Sequence, residues 1–169
     1  LKLPSRYEDL DVAFRGRLRA NQELLTLVKT AYAGMQMSGG IRFLPIYGTS
    51  GSGKSSAAFE LGTHLPEAHV FALPRTAVES PGELTAVVQR ETAEIQGTSK
   101  RLMVAVIDQY EEAAAQRSAV PTSFVEQLAL LDRGELRSIR IIFVWLTTSK
   151  DFQKSLVDAT SRNRRILVA

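Results

Sequence analysis

The sequence predicts an α/β domain in which a parallel sheet lies between helices as the middle layer of a three-layer sandwich. Three observations carry that expectation. Five apolar stretches alternate with segments of helical periodicity. Two of the stretches contain wholly apolar runs, Leu102 to Ile107 and Ile141 to Leu146, as strands covered on both faces do. The segments between them carry Pro, Gly and capping residues where helices should start and stop. With 169 residues, 44% of them hydrophobic and 23% charged, the chain is long and apolar enough for one domain with a sizeable core, and general disorder is excluded.

The first stretch, Ile41 to Tyr47, follows a Ser38-Gly39-Gly40 breaker and stops at Gly48. Pro45 inside it has no amide to give a central strand, and a bulge is the expected remedy. The second runs from His69 to Leu73 and ends at Pro74. The third is Leu102 to Ile107, the fourth Ile139 to Leu146, and the fifth starts at Ile166. A helix is expected from about Leu18 to Tyr32, burying Leu24, Leu25, Leu27, Val28 and Ala31. Ser80-Pro81-Gly82-Glu83 reads as a capping box with Pro at the first helical position; Leu84, Val87, Val88 and Ile95 share the face that follows, and Gly97 ends it. Pro121 opens another helix, with Phe124, Val125, Leu128 and Leu131 at helical spacing and Gly134 just after. Residues 1–36 are expected to form an N-terminal segment and helix, and residues 41–169 the core. The chain begins at Leu1, and Ile166-Leu167-Val168-Ala169 read as a strand still running, so a longer multidomain protein is expected.

Several function classes fall away. The absence of Cys excludes a disulfide scaffold and thiolate metal sites, and fits a reducing, cytoplasmic setting. Neither six-residue apolar run approaches the roughly twenty residues a bilayer demands. Lys2, Arg6, Glu8, Asp9 and Asp11 leave no apolar core for a signal peptide. A formal charge of +3 is too small to call for nucleic acid by itself. His64 and His69 have no companions at metal-ligand spacing and read as structural or surface residues.

Between the first apolar stretch and the next helix stands Gly48-Thr49-Ser50-Gly51-Ser52-Gly53-Lys54-Ser55, a full match to G-x-x-x-x-G-K-[ST]. Glycines let successive backbone amides turn inward around phosphate oxygens, which side chains would block. A helix starting near Lys54 would add its N-terminal dipole to the same anion. Lys54 then reaches the β- and γ-phosphates, and the Ser55 hydroxyl is a Mg²⁺ ligand. The third stretch ends in Asp108, at the carboxyl end of a strand, where open α/β sheets bind ligands; there it would hold Mg²⁺ largely through water.

Gln109-Tyr110-Glu111-Glu112 follows. Glu111 and Glu112 are candidates for orienting an attacking water, with Glu111 preferred; the same acids would also suit the first turn of a helix. Thr147, at the end of the fourth stretch, could meet the γ-phosphate or that water, provided its strand lies between the first and third. Arg162, in a cluster with Arg164 and Arg165, is a candidate arginine finger toward a neighbouring subunit, or a solvated basic turn.

With the loop and Asp108 identified, the chain resembles P-loop ATPases of the branch that includes the AAA+ and STAND families. Phe14-Arg15-Gly16-Arg17 resembles their N-terminal F-x-G-R motif, which implies that Phe14 and Arg17 lie near the nucleotide. Gly48 to Ser56 resembles the loop of bacterial STAND proteins, and Val106 to Glu112 their V-D-Q-F-E-E segment. The resemblance implies a five-stranded sheet of order 5-1-4-3-2 and Mg²⁺-dependent ATP hydrolysis driving a conformational switch. It also implies self-association through the nucleotide face, with a helical lid and effector domains or protein partners outside this segment. Gln109 stands where most AAA+ proteins carry Glu, which favours the STAND reading; Ser149-Lys150-Asp151 offers no Arg where bacterial STAND proteins often have Arg-x-Asp. The alternatives are an AAA+ motor or regulator of DNA transactions, whose basic cluster would touch nucleic acid, and a non-catalytic scaffold gated by nucleotide. No N-K-x-D segment is present to read guanine.

Overall fold

The computed structural model describes residues 12–35, 40–48, 54–108, 124, 127, 128, 140–147, 150–161, 167 and 168. In chain order the elements are α1 (Val12–Met35), β1 (Gly40–Tyr47), α2 (Lys54–Phe59), α3 (Leu61–His64), β2 (Ala68–Ala72), α4 (Arg75–Glu79), α5 (Pro81–Ile95), β3 (Leu102–Asp108), β4 (Arg140–Thr147), α6 (Lys150–Ser161) and β5 (Leu167–Val168). Phe124, Gln127 and Leu128 are helical as well.

Every strand pair is parallel, and the order across the sheet is β2-β3-β4-β1-β5. The four long strands thus run 1-4-3-2 from β1 outward. The full fifth strand expected from Ile166 is not what is described: β5 is two residues, Leu167 opposite Arg42 and Val168 opposite Phe43. The described sheet is therefore four strands of five to eight residues with a two-residue strip along β1.

Strand alternation sorts the core into two layers. Toward one face, Ile41, Phe43, Met103, Ala105, Ile107, Ile141, Phe143 and Trp145 pack with Leu84, Val87 and Val88 of α5 and with Phe124 and Leu128. Toward the other, Leu44, Leu102, Val104, Val106, Ile142, Val144 and Leu146 meet Leu24, Val28, Ala31, Tyr32 and Met35 of α1, with Ala57, Ala58 and Leu61 of α2 and α3. Side chains of β3 and β4 thus enter both layers, which is why those stretches are apolar without alternation.

Helix α1 is longer than its apolar periodicity suggests. Arg, Leu, Ala, Gln and Glu between residues 15 and 24 are good helix formers that carry the helix back to Val12. Its buried stripe also differs: Tyr32 and Met35 are buried, Leu25 is half-buried, and Leu27 faces solvent.

Pro45 needs no bulge. The β1–β4 register runs unbroken through Pro45 opposite Trp145. The Gly48 amide donates to the Thr147 carbonyl at 3.0 Å, so alternation turns the backbone of Pro45 away from β4. On that side no amide is required opposite the described part of β5, and the Pro45 carbonyl accepts a hydrogen bond from the Gln153 side chain of α6 at 3.0 Å.

The capping box before α5 is also not formed. Pro81 does open the helix, but the Ser80 side chain makes no cap hydrogen bond. Ser80 closes α4 and starts α5 through its backbone, its amide donating to Thr76 O and its carbonyl accepting from Leu84 N. At the other end Gly97 adopts φ 79°, with Thr98 N donating to Ile95 O. A Cβ at Gly97 would meet nothing within 4 Å, so only the left-handed backbone opposes it. Gly97→Ala is expected to cost about 1–2 kcal/mol in denaturant unfolding, with an unchanged m-value.

At the amino edge of the sheet the Tyr32 hydroxyl donates to Glu67 Oε2 at 2.7 Å, tying α1 to the start of β2. Burial first, and then the Glu67 carboxylate, raise the phenol above its ordinary value of 10.0, with Arg140 opposing them. The neutral phenol is thereby favoured in the folded state. Its contribution is fully present below pH 10 and is lost as pH rises through the raised pKa. Tyr32→Phe should cost about 1 kcal/mol at neutral pH. It should also flatten the alkaline end of the stability curve, and urea unfolding at several pH values checks both.

Candidate functional site

The connections reverse direction between β1 and β4. The chain leaves β1 through α2 and α3, on the face packed by α1, and reaches β2 at the far side of the sheet. It returns from β2 to β3 through α4 and α5 on the opposite face. Strand β1 thus leads toward the β2 edge, whereas its neighbour β4 leads to β5 on the other side; adjacent strands whose connections diverge leave a crevice at their carboxyl ends, and open α/β sheets bind ligands there. Gly48, the first residue of the glycine-rich segment, stands at that point, its amide bonded to Thr147 O. Lys54 and Ser55 are the first two residues of α2. The sequence motif is thus preceded by a strand and entered by a helix at Lys54, the flanks its chemistry requires.

Strand β4 lies between β1 and β3, the condition set for Thr147. Thr147 pairs with Tyr47, and its side chain is wholly buried, the one polar residue in that state among the described residues. Asp108 pairs with Leu146, one position short of Thr147, and is exposed. By alternation Asp108 shares parity with Val104 and Val106, which face α1, α2 and α3, whereas Thr147 shares parity with Phe143 and Trp145 on the other face. Both mark the carboxyl edge beside Gly48.

Phe14 and Arg17 fall on α1, in its amino-terminal half. Thr49, Ser50, Gly51, Ser52, Gly53, Glu111, Glu112 and Arg162 lie outside the described residues, as do Gln109, Tyr110, Ser149, Arg164 and Arg165. Ser56 is the third residue of α2.

Sequence reasoning passed over a contact at this edge. Lys150, the first residue of α6, holds its ammonium 5.3 Å from the centre of the Tyr47 ring. Only the adjacency of the two strand ends could reveal it. His69 is structural, as expected: Nε2 lies 2.7 Å from Glu91 Oε2, and the ring stacks on Phe71 at 5.7 Å. Among the described residues no group of three His, Cys, Asp or Glu could hold a metal ion. Mg²⁺ asks for less, since it keeps most of its water and takes one or two protein oxygens. Asp108, on the face toward α2, and Ser55, in the first turn of that helix, are donors of that kind.

No helix among the described residues is long and apolar enough to cross a membrane. No family model matches the sequence, and no curated protein matches it. Solved structures do. The chain is similar to the ORC1 protein of Aeropyrum pernix, determined in complex with DNA, at 15% identity and a TM-score of 0.52 over 98% of this chain. It spans 47% of that chain. Weaker likenesses are to RIF2 of Saccharomyces cerevisiae, at 14% identity, TM-score 0.46, over 95% of this chain and 63% of that one, and to Drosophila ORC bound to DNA, at 10% identity, TM-score 0.46, over 99% and 36%. The chain has an α/β fold with a parallel sheet, similar to that of the Aeropyrum pernix ORC1 protein.

Proposed function

We propose that this chain is the nucleotide-binding domain of an AAA+-type P-loop ATPase, part of a longer multidomain protein, and that it binds Mg-ATP. One observation carries the reading: the motif residues 48–55 fall in the chain between the end of β1, where Gly48 bonds Thr147 O, and the start of α2, and β3 ends in Asp108 at the same carboxyl edge of the sheet. Backbone amides of the loop and the Lys54 ammonium hold the β- and γ-phosphates. Ser55, and Asp108 through water, would hold Mg²⁺, which supplies neutralisation of phosphate charge when bound. Glu111, with Glu112 as its alternate, orients the attacking water, and the Thr147 hydroxyl fixes that water or the γ-phosphate. Arg162 would act on the site of a neighbouring copy. Phe14 and Arg17, on α1, border the nucleotide. In such chemistry positioning and electrostatics supply nearly all of the acceleration.

The regulator of DNA transactions is the reading favoured over a STAND-type switch, because the likeness to ORC1 in complex with DNA supports it and nothing comparable supports the STAND features. Calorimetric titration with Mg-ATP and Mg-GTP tests the core of the proposal. Saturable binding of the adenine nucleotide is expected; no binding at millimolar nucleotide would overturn it. An ATPase assay with and without duplex DNA, over a range of salt, separates the two readings, since a DNA-linked ATPase should be stimulated in a salt-dependent way.

A further inference from the structure

Strand β2 is the outermost strand of the sheet, with β3 on one side and, among the described residues, no strand on the other. Glu67 O accepts from Leu102 N at 3.1 Å, and Leu73 N donates to Val106 O at 2.8 Å. By alternation the backbones of residues 67, 69, 71 and 73 are turned toward β3, and those of Val70 and Ala72 outward. Neither Val70 nor Ala72 makes an outward hydrogen bond among the described residues, and Ala72 is exposed. The strand reads Ala-His-Val-Phe-Ala, with no lysine, arginine or proline to turn another strand away.

The charges at the two ends of this edge decide which strand fits it. Glu67 precedes β2 and Arg75 opens α4 beyond it, and both are exposed. A second copy laid alongside in the opposite direction, about a two-fold axis at Phe71, sets Val70 of each copy opposite Ala72 of the other. Both hydrogen bonds close at each of these pairs. Glu67 and Arg75 lie the same number of residues from that axis, so each copy brings its carboxylate toward the guanidinium of the other. A copy laid in the same direction would set Glu67 against Glu67 and Arg75 against Arg75, which opposes it. At the axis the two Phe71 side chains become a non-hydrogen-bonded pair, the closer kind of cross-strand neighbour, each stacked on its own His69 at 5.7 Å.

We propose that the outer edge of β2 is an interface between two copies of this chain, joined antiparallel about Phe71 into one continuous sheet. Strands β3 and β4 separate it from β1, and it does not depend on the nucleotide-binding reading. Pairing along five residues is a small contact, below the roughly 1,200 Å² of a stable complex. The dimer is therefore weak by itself, and is reinforced wherever another contact already holds two copies together.

The test is sedimentation equilibrium of this chain at low salt, without nucleotide, at concentrations up to about 1 mM. Three variants run alongside. Ala72→Pro removes the outward donor and leaves the bonds to β3 in place. Arg75→Glu and Glu67→Arg each set like charges against one another across the interface. The wild type is expected to approach twice its monomer mass, with a dissociation constant on the order of 100 µM. Each variant alone should associate about tenfold less tightly, and mixing Arg75→Glu with Glu67→Arg should restore association, since opposite charges then meet at both ends. Melting temperatures check that the variants are folded, above all Glu67→Arg, which gives up the tie to Tyr32. A wild type that stays monomeric throughout overturns the proposal. So does a dimer that Ala72→Pro and Arg75→Glu leave unchanged, or a mixture that associates no better than its two components.

Discussion

Phe124→Ala is expected to lower the unfolding free energy by about 3–5 kcal/mol, a large part of the 5–15 kcal/mol that holds a typical domain together. Phe124 is 1% exposed and meets three rings: Trp145 at 5.3 Å and 89°, Phe143 at 5.9 Å and 84°, and Phe43 at 6.3 Å. Two of these are edge-to-face, the arrangement in which the positive rim of one ring meets the negative face of the next. Phe43 and Trp145 also touch each other, at 6.1 Å, so truncation leaves a cavity whose walls are already braced and will not collapse. Phe124→Leu fills much of the volume and should lose less than half as much. Urea unfolding of the two variants decides the matter: equal and small losses would mean that Phe124 is peripheral to the core. The position carries weight because Phe124, with Leu128, packs on the face of the sheet formed by β1, β3 and β4.

Lys54→Ala is expected to weaken Mg-ATP binding by about 100-fold or more, with little change in melting temperature. Lys54 opens α2 and is the only motif side chain able to bring a full positive charge to the β- and γ-phosphates. Backbone amides alone would leave much of the charge of the triphosphate unmatched. Adenosine, which has no phosphate, should bind equally to both proteins, and that comparison separates loss of the phosphate contact from general damage. A Lys54→Ala protein that binds Mg-ATP as the wild type does would remove the glycine-rich segment from the site.

The sheet was legible because buried parallel strands are apolar on both faces. Leu102–Asp108 runs one residue beyond the expected stretch, and Arg140–Thr147 is displaced from its own by one residue at each end. The phosphate loop was legible because its chemistry dictates residue types at fixed spacing. Other features depend on contacts that no local pattern encodes. Helix α4 is five residues between Pro74 and Ser80, too short for a periodic signal, and it is held by burial of Ala77 and Val78. The Tyr32–Glu67 tie joins residues thirty-five apart in the chain. Ser80 and Glu83 have the spelling of a capping box, but the close junction of α4 with α5 lets the backbone do that work. Pro45 misled in the opposite sense: one strand away its missing amide would have broken a ladder, and only the strand order reveals that it faces the side where none is needed.

That orientation of Pro45 reaches beyond the fold. A strand margin with alternating free amides and carbonyls is a template on which a second chain can add itself, the first step of ordered aggregation. The stretch from Phe43 to Tyr47 is apolar and β-prone, the composition that such growth favours. A proline turned toward the margin offers no donor there, and the Gln153 amide already covers its carbonyl. The residue that looks least suited to a strand thus serves as a gatekeeper, denying a foreign strand its foothold.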